Sequence, residues 1–146
     1  MAACTPPEEL VGFGAMLQYY NELTTAWVTV GGTKDLAFPE DVTEAKETTS
    51  NDTPDGYRTY IPDLLQGLNE ETYEFNFRAS QWNTLQGIKG NRQILEWRIV
   101  IMNAQQTYMQ FCAFIAAIRG DIPMEDLIMG EITLQPTGGP TWGELV

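Results

Sequence analysis

Histidine is absent from this 146-residue sequence. Its absence removes the histidine-based nucleophilic triad, the imidazole acid or base, and the commonest nitrogen ligand for a metal. Cysteine is nearly absent as well. Cys4 and Cys112 alone make no disulfide framework. Cys112 sits in FCAFIAAI (111–118), the longest apolar run, and is read as a buried thiol. Cys4 has no base beside it in sequence to lower its pKa and is read as an inert thiol on an arm. The run 111–118 is far too short to span a bilayer, and the start carries no signal-peptide pattern. The expectation is a protein made in a reducing cytosol, with no membrane anchor. Basic residues are scarce too: 8 Lys and Arg stand against 20 Asp and Glu, for a net charge of −12. No stretch forms a basic patch fit to grip phosphates. A net negative surface argues against tight nucleic-acid binding.

The remaining chemistry is thin. Twenty acids give many chance pairs, but none sits in a strong local motif for carboxylate catalysis. EDVTEAKETTSNDTPDG (40–56) is rich in oxygen ligands yet lacks the spacing of a twelve-residue calcium loop, and a solvated acidic loop explains it better. VTVGGTK (28–34) lacks the spacing of a phosphate loop and reads as a two-glycine turn after a strand. No catalytic residue, metal or cofactor is expected, and the chain is not read as an enzyme.

What is present is strand. With 43% apolar residues and a length suited to one domain, the chain can bury a core without a staple. GAMLQYY (14–20) and TTAWVTV (24–30) are β-prone runs separated by an Asn-Glu turn. TYEFNF (72–77) alternates, with Tyr73, Phe75 and Phe77 on one face and Thr72, Glu74 and Asn76 on the other. ILEWRIVI (94–101) puts Leu95, Trp97, Ile99 and Ile101 opposite Glu96 and Arg98. TYMQFCAFIAAI (107–118) is read as a strand buried on two faces, and DLIMGEITLQ (126–135) as the last strand, with Gly130 marking a bulge. SQWNTLQGIKG (80–90) is the one helix, with Ser80 as its cap, Gly90 as its stop, and Trp82, Leu85 and Ile88 covering one end of the core. The expected fold is mainly β, a sandwich or small barrel with one short flanking α-helix. Residues 1–10 and 136–146, rich in Pro, Gly and acids, are read as arms.

Residues 40–64 are read as a long loop, with 40–49 weakly alternating and extended. Its return, DGYRTYIPDL (55–64), combines a turn pair at Asp55-Gly56, an arginine between Tyr57 and Tyr60, and the extended dipeptide Ile61-Pro62. Two readings stay open on the residues alone. One is a connection returning to the core. The other is a loop that leaves the body and docks on another subunit, since Tyr and Arg are enriched at interfaces and loops this long are uncommon without a function.

The ordered series Trp27, Gly31-Gly32, Lys34-Asp35-Leu36, Gly56-Tyr57-Arg58, Tyr60-Ile61-Pro62 and Tyr73-Glu74-Phe75 resembles the tail tube proteins of long, flexible-tailed bacteriophages of the lambda-like type. EWRIVI (96–101) and TLQPTGGPTW (133–142) resemble that family's later strands, so the likeness spans about residues 11–142. Asp63 stands where the family often has glycine, and the immunoglobulin-like decoration of some members is absent. The resemblance implies one tail-tube domain, the fold also used by the type VI secretion tube. It implies a structural virion protein that forms hexameric rings stacked into a tube. It implies as partners other copies of the chain, a tape measure protein, a tail terminator, tail-tip or baseplate proteins, and double-stranded DNA passing without specific binding. It implies assembly in the host bacterial cytoplasm and residence in the phage tail. On that expectation, Asp55, Gly56, Tyr57, Arg58, Tyr60, Ile61 and Pro62 form an inter-subunit clamp, while Glu74, Asn76 and Glu96 face the lumen. The rival readings are a tail terminator or baseplate ring protein, and a monomeric β-sandwich ligand-binding module.

Overall fold

A computed structural model describes residues 14–49 and 56–146. In chain order the elements are β1 (Met16–Asn21), β2 (Ala26–Thr29), β3 (Asp41–Glu47), β4 (Tyr60–Leu68), β5 (Glu71–Asn76), α1 (Ala79–Gly90), β6 (Leu95–Val100), β7 (Thr107–Asp121) and β8 (Met129–Glu144). Six strands form one antiparallel sheet in the order β2-β1-β6-β7-β8-β5, and β3 pairs with β4 alone. Among the described residues the expected mainly β architecture with a single helix is what forms. The sheet does not close into a barrel, but it curls. The chain leaving β2 reaches the far edge strand, where Lys34 N–H donates to the Glu74 carbonyl at 2.9 Å and Asn76 N–H to the Gly32 carbonyl at 2.9 Å. Gly32 makes that corner at φ +73, a conformation that costs glycine nothing. Gln81 of α1 clasps Gly31 from both sides, accepting from its N–H at 2.8 Å and donating to its carbonyl at 3.1 Å.

Period-two alternation sends one set of side chains inward. Leu17, Tyr73, Phe75, Trp97, Phe111, Ile132 and Leu134 are buried in a single cluster, on which α1 lays Leu85 and Ile88. Burying side chains of this size stabilises by roughly 1.5–3 kcal/mol each before chain entropy is subtracted. Trp82 fits because Gly120 and Gly130 are direct partners in β7 and β8. A β-carbon on Gly130 would fall 2.7 Å from Phe75 Cζ, and one on Gly120 3.3 Å from the Trp82 ring.

Several expectations are corrected. β7 is buried on one face only: Met109, Phe111, Ala113 and Ile115 point inward, whereas Cys112 and Phe114 are exposed. Apolar residues on both faces of a run had suggested otherwise. Gly130 lies in regular register, and the register shifts in the β7–β8 pair fall at Gln110/Cys112 and Ile115/Ala117. Ser80 lies inside α1; the N-cap position is Arg78, extended and without a side-chain cap bond. Gly90 is the last helical residue, and the left-handed turn falls on Arg92 at φ 54. A non-glycine residue there carries a strain of roughly 1 kcal/mol. Residues 136–144, read as part of an arm, continue β8 along β7. The long loop is a hairpin, with Pro62 opposite Ala45 just past a register shift in a two-stranded edge that tolerates proline. Phe77 lies just outside β5, against Trp82 with ring centroids 5.4 Å apart. Cys4 and residues 1–10 lie outside the described residues.

Tyr73 ties the connection after β2 to the core, its hydroxyl donating to the Ala37 carbonyl at 2.8 Å. Burial, and secondarily the charge of Glu71, raises its phenol well above the ordinary 10.0, and burial raises Tyr19. A folded pKa above the unfolded one means the stability contribution is whole below pH 10 and is lost as pH rises beyond it. Urea unfolding is therefore expected to be flat towards pH 9 and to weaken above about pH 10. Tyr73→Phe should cost about 1 kcal/mol at neutral pH and make the alkaline decline shallower; an unchanged decline would contradict this role.

Candidate functional site

The opposite face of the six-stranded sheet is polar. Thr29, Gln18, Arg98, Gln110 and Thr141 are successive cross-strand partners in one row over five strands. Gln18 links the row, donating to the Thr29 hydroxyl at 3.0 Å and accepting from Arg98 Nε at 2.6 Å. The Arg98 guanidinium lies 4.1 Å from the Trp27 ring centroid and 5.7 Å from that of Tyr108. Stacking of this kind holds a planar cation flat against the sheet. Burial lowers the Arg98 pKa and Tyr108 opposes the shift. In the next row Glu96 pairs with Cys112, and Cys112 with Thr137. Gln110 Nε2 donates to Glu96 Oε2 at 3.3 Å.

Glu74 lies on the same face, at the β5 edge, with β7 and β8 between it and β6. Its direct partner is Glu131, whose other neighbour is Arg119. Arg119 instead bonds Asp121 at 3.1 Å. Two like charges thus stand opposite each other, beside the Thr72–Thr133 hydroxyl pair at 3.0 Å. Asn76 differs from the other two lumen candidates. It is half-buried beneath Gly32, and its Oδ1 is buried without a hydrogen-bond partner among the described residues. Glu74 and Glu96 are exposed.

The second surface is the β3–β4 hairpin. Its base is fixed, because Leu68 is buried and Asn69 donates to Glu40 through its N–H at 2.8 Å and through its side chain at 3.2 Å. Towards the tip, Thr48 N–H donates to the Thr59 carbonyl at 2.8 Å and the two hydroxyls meet at 2.9 Å. Gly56 turns the chain at φ +67. Tyr57, Arg58, Tyr60, Ile61 and Pro62 are all exposed, so the structure puts these five side chains in solvent together; Asp55 lies outside the described residues. Sequence reasoning missed Leu64 and Leu65, which are 97% and 78% exposed. Adjacent leucines in a strand must point to opposite faces, so a strand bearing them in an acidic region could have been read as unburied on both sides.

No family model and no curated protein matches the chain. Solved structures do match it. The tail of an empty GTA particle, determined with C6 symmetry, aligns at TM-score 0.76 and 12% identity, over 92% of this chain and 99% of that one. The SPP1 tail tube aligns at 0.70 and 12%, over 94% and 81%. A component of the six-fold symmetrised anti-feeding prophage baseplate aligns at 0.74 and 10%, over 96% and 97%. The chain has the tail-tube fold. These neighbours come from several tail and injection systems, so the likeness does not single out the long flexible-tailed type.

In this tail-tube fold the polar face keeps a repulsive pair that the core does not need. Glu74→Gln is expected to stabilise the isolated subunit by about 0.5 kcal/mol at low salt, with the gain shrinking as salt rises. A loss of stability in urea titrations would show that Glu74 has a favourable partner instead.

Proposed function

We propose that the chain is a structural tail tube subunit: six copies form a ring, rings stack into a tube, and the polar sheet face lines the bore. The observation that carries this reading is the sheet itself. One face is packed into the core and the other carries a row of polar side chains over five strands, with Gln18 bridging Thr29 and Arg98. Its glutamates, amides and threonines, set among Trp27, Tyr108 and Phe114, let water and DNA slide past, and the overall charge of −12 repels phosphates. Glu74 and Glu96 are the lumen charges in this reading, with Asn76 a partly covered third. The β3–β4 hairpin, with Tyr57, Arg58, Tyr60, Ile61 and Pro62, is the arm that grips a neighbouring subunit. Head-to-tail contacts of this kind build an open filament. The tube forms around a tape measure protein, is closed by a terminator, starts from a tail-tip or baseplate complex, and conducts double-stranded DNA without binding it specifically. The mature location is the virion tail, after assembly in the host cytoplasm.

A single-ring terminator or baseplate role is the second reading, favoured by the baseplate component that shares the fold. Negative-stain microscopy over a range of concentration and salt, with tail partners added, separates the two. Long hollow tubes with regular striation support the tube, and isolated rings alone support the single-ring role. Closing the hairpin with a tight turn at the Val42–Gly67 pair should leave the domain folded, because β3 and β4 hydrogen-bond only to each other and the buried Leu68, at the base where β4 meets β8, is kept. Its melting temperature should change little and its tubes should vanish; normal tubes from this variant would overturn the role of the hairpin.

A further inference from the structure

Basic charge is rare in this chain, and half of it lies in one stretch: residues 78–98 hold four of the eight Lys and Arg. Two of them, Lys89 and Arg92, line a cleft of about 440 Å³ with Ile94, Phe114, Ile115 and Ala116. The cleft has an apolar floor left open to solvent, with Ile94 60% and Phe114 37% exposed. Neither cation has a carboxylate within 4.0 Å among the described residues, where the one ion pair is Arg119–Asp121. The wall beside it is also unfinished. β6 begins at Leu95 opposite Ala113, so among the described residues β7 from Phe114 onward has no strand partner on that side. An open edge of this kind is a template for an added strand. Finally, Arg92 holds a left-handed backbone that glycine would adopt without strain. Strain retained at an exposed arginine points to a task for that residue.

One surface of the chain has the complementary character. Residues 40–68 carry seven acids against two bases. The hairpin they build exposes Tyr60, Ile61, Leu64 and Leu65. Among the described residues its two strands hydrogen-bond only to each other, with β4 also lying against β8. We infer that the cleft formed by the end of α1, Ile94 and the open edge of β7 receives the β3–β4 hairpin of a second copy of this chain. Tyr60 and one of the two leucines cover the apolar floor, Lys89 and Arg92 meet Glu44 and Glu47, and a hairpin strand lies along β7. The inference rests on the tube reading and supplies the receptor for the arm. Apolar contact gives the affinity, and the opposite charges fix register and exclude a cleft-to-cleft contact.

Charge exchange tests it. Lys89→Glu with Arg92→Glu should raise the critical concentration for tube formation roughly tenfold or more, and adding Glu44→Lys with Glu47→Lys should restore it. A structural account is separated by Arg92→Gly. That variant relieves the backbone, so its melting temperature should rise by about 3 °C while its tubes form less readily. Tubes that form normally from the double charge reversal, or no rescue by the hairpin lysines, would overturn the cleft while leaving the tube reading intact. Wild-type protein that stays monomeric with its tail partners present would overturn both.

Discussion

The pairing of β7 with β8 is the constraint on which the rest of the structure depends. The two strands run 15 and 16 residues, well beyond the usual five or six, and stay in register from Thr107–Glu144 to Asp121–Met129 with two shifts. Every other strand of the sheet is attached through this hairpin. β6, with β1 and β2 behind it, pairs with residues 108–113 of β7, while β5 pairs with the opposite end of the hairpin, residues 129–134 of β8. The sheet is therefore staggered. Its two halves overlap only in β7 and β8, and each of those strands keeps a length of edge to which no strand is added. A monomeric sheet protein normally blunts such edges.

The same hairpin sets the two faces. Inward positions of β7 and β8 hold Phe111, Ala113, Ile132 and Leu134, which anchor the core, and the outward ones hold Gln110, Cys112, Glu131 and Thr133. Glu74 and Glu96 owe their common exposure to this alternation, although they stand on different flanks of the hairpin. Gly120 and Gly130 leave room for Trp82, which is how the single helix docks. Arg98 sits on the polar face without unbalancing it, because Trp27, Tyr108 and Gln18 spread and fix its charge.

The strands with clean alternation were legible in the sequence. Tyr73 and Phe75, or Trp97 and Ile99, announce a buried face by period two, and Leu85 and Ile88 announce a helix seated on it. β7 was harder, because Phe111, Phe114 and Ile115 with small alanines between them look apolar all round; only tertiary pairing shows that Cys112 and Phe114 are left outside. β4 was missed as a strand because proline and paired leucines break the alternation that identifies one, yet a two-stranded arm with no core to face does not need it. The end of β8 looked like an arm because Gly138, Gly139 and Pro140 are poor strand formers, and pairing with β7 overrode that preference. Of the candidate surfaces, residue types were legible and mutual placement was not. No local pattern joins Gln18 to Arg98, or Lys89 to Phe114.

The central claim is that the polar face of the sheet becomes the wall of a bore. Cys112 reports on it directly, being exposed in the middle of that face between Glu96 and Thr137. In a Cys4→Ser background, the isolated subunit should react both with a small maleimide and with a maleimide carried on a globular protein. Assembled tubes should react with the small reagent and exclude the large one. Tubes that take up both reagents would put this face on the outside, and tubes that take up neither would put it in a subunit contact; either result would contradict the account.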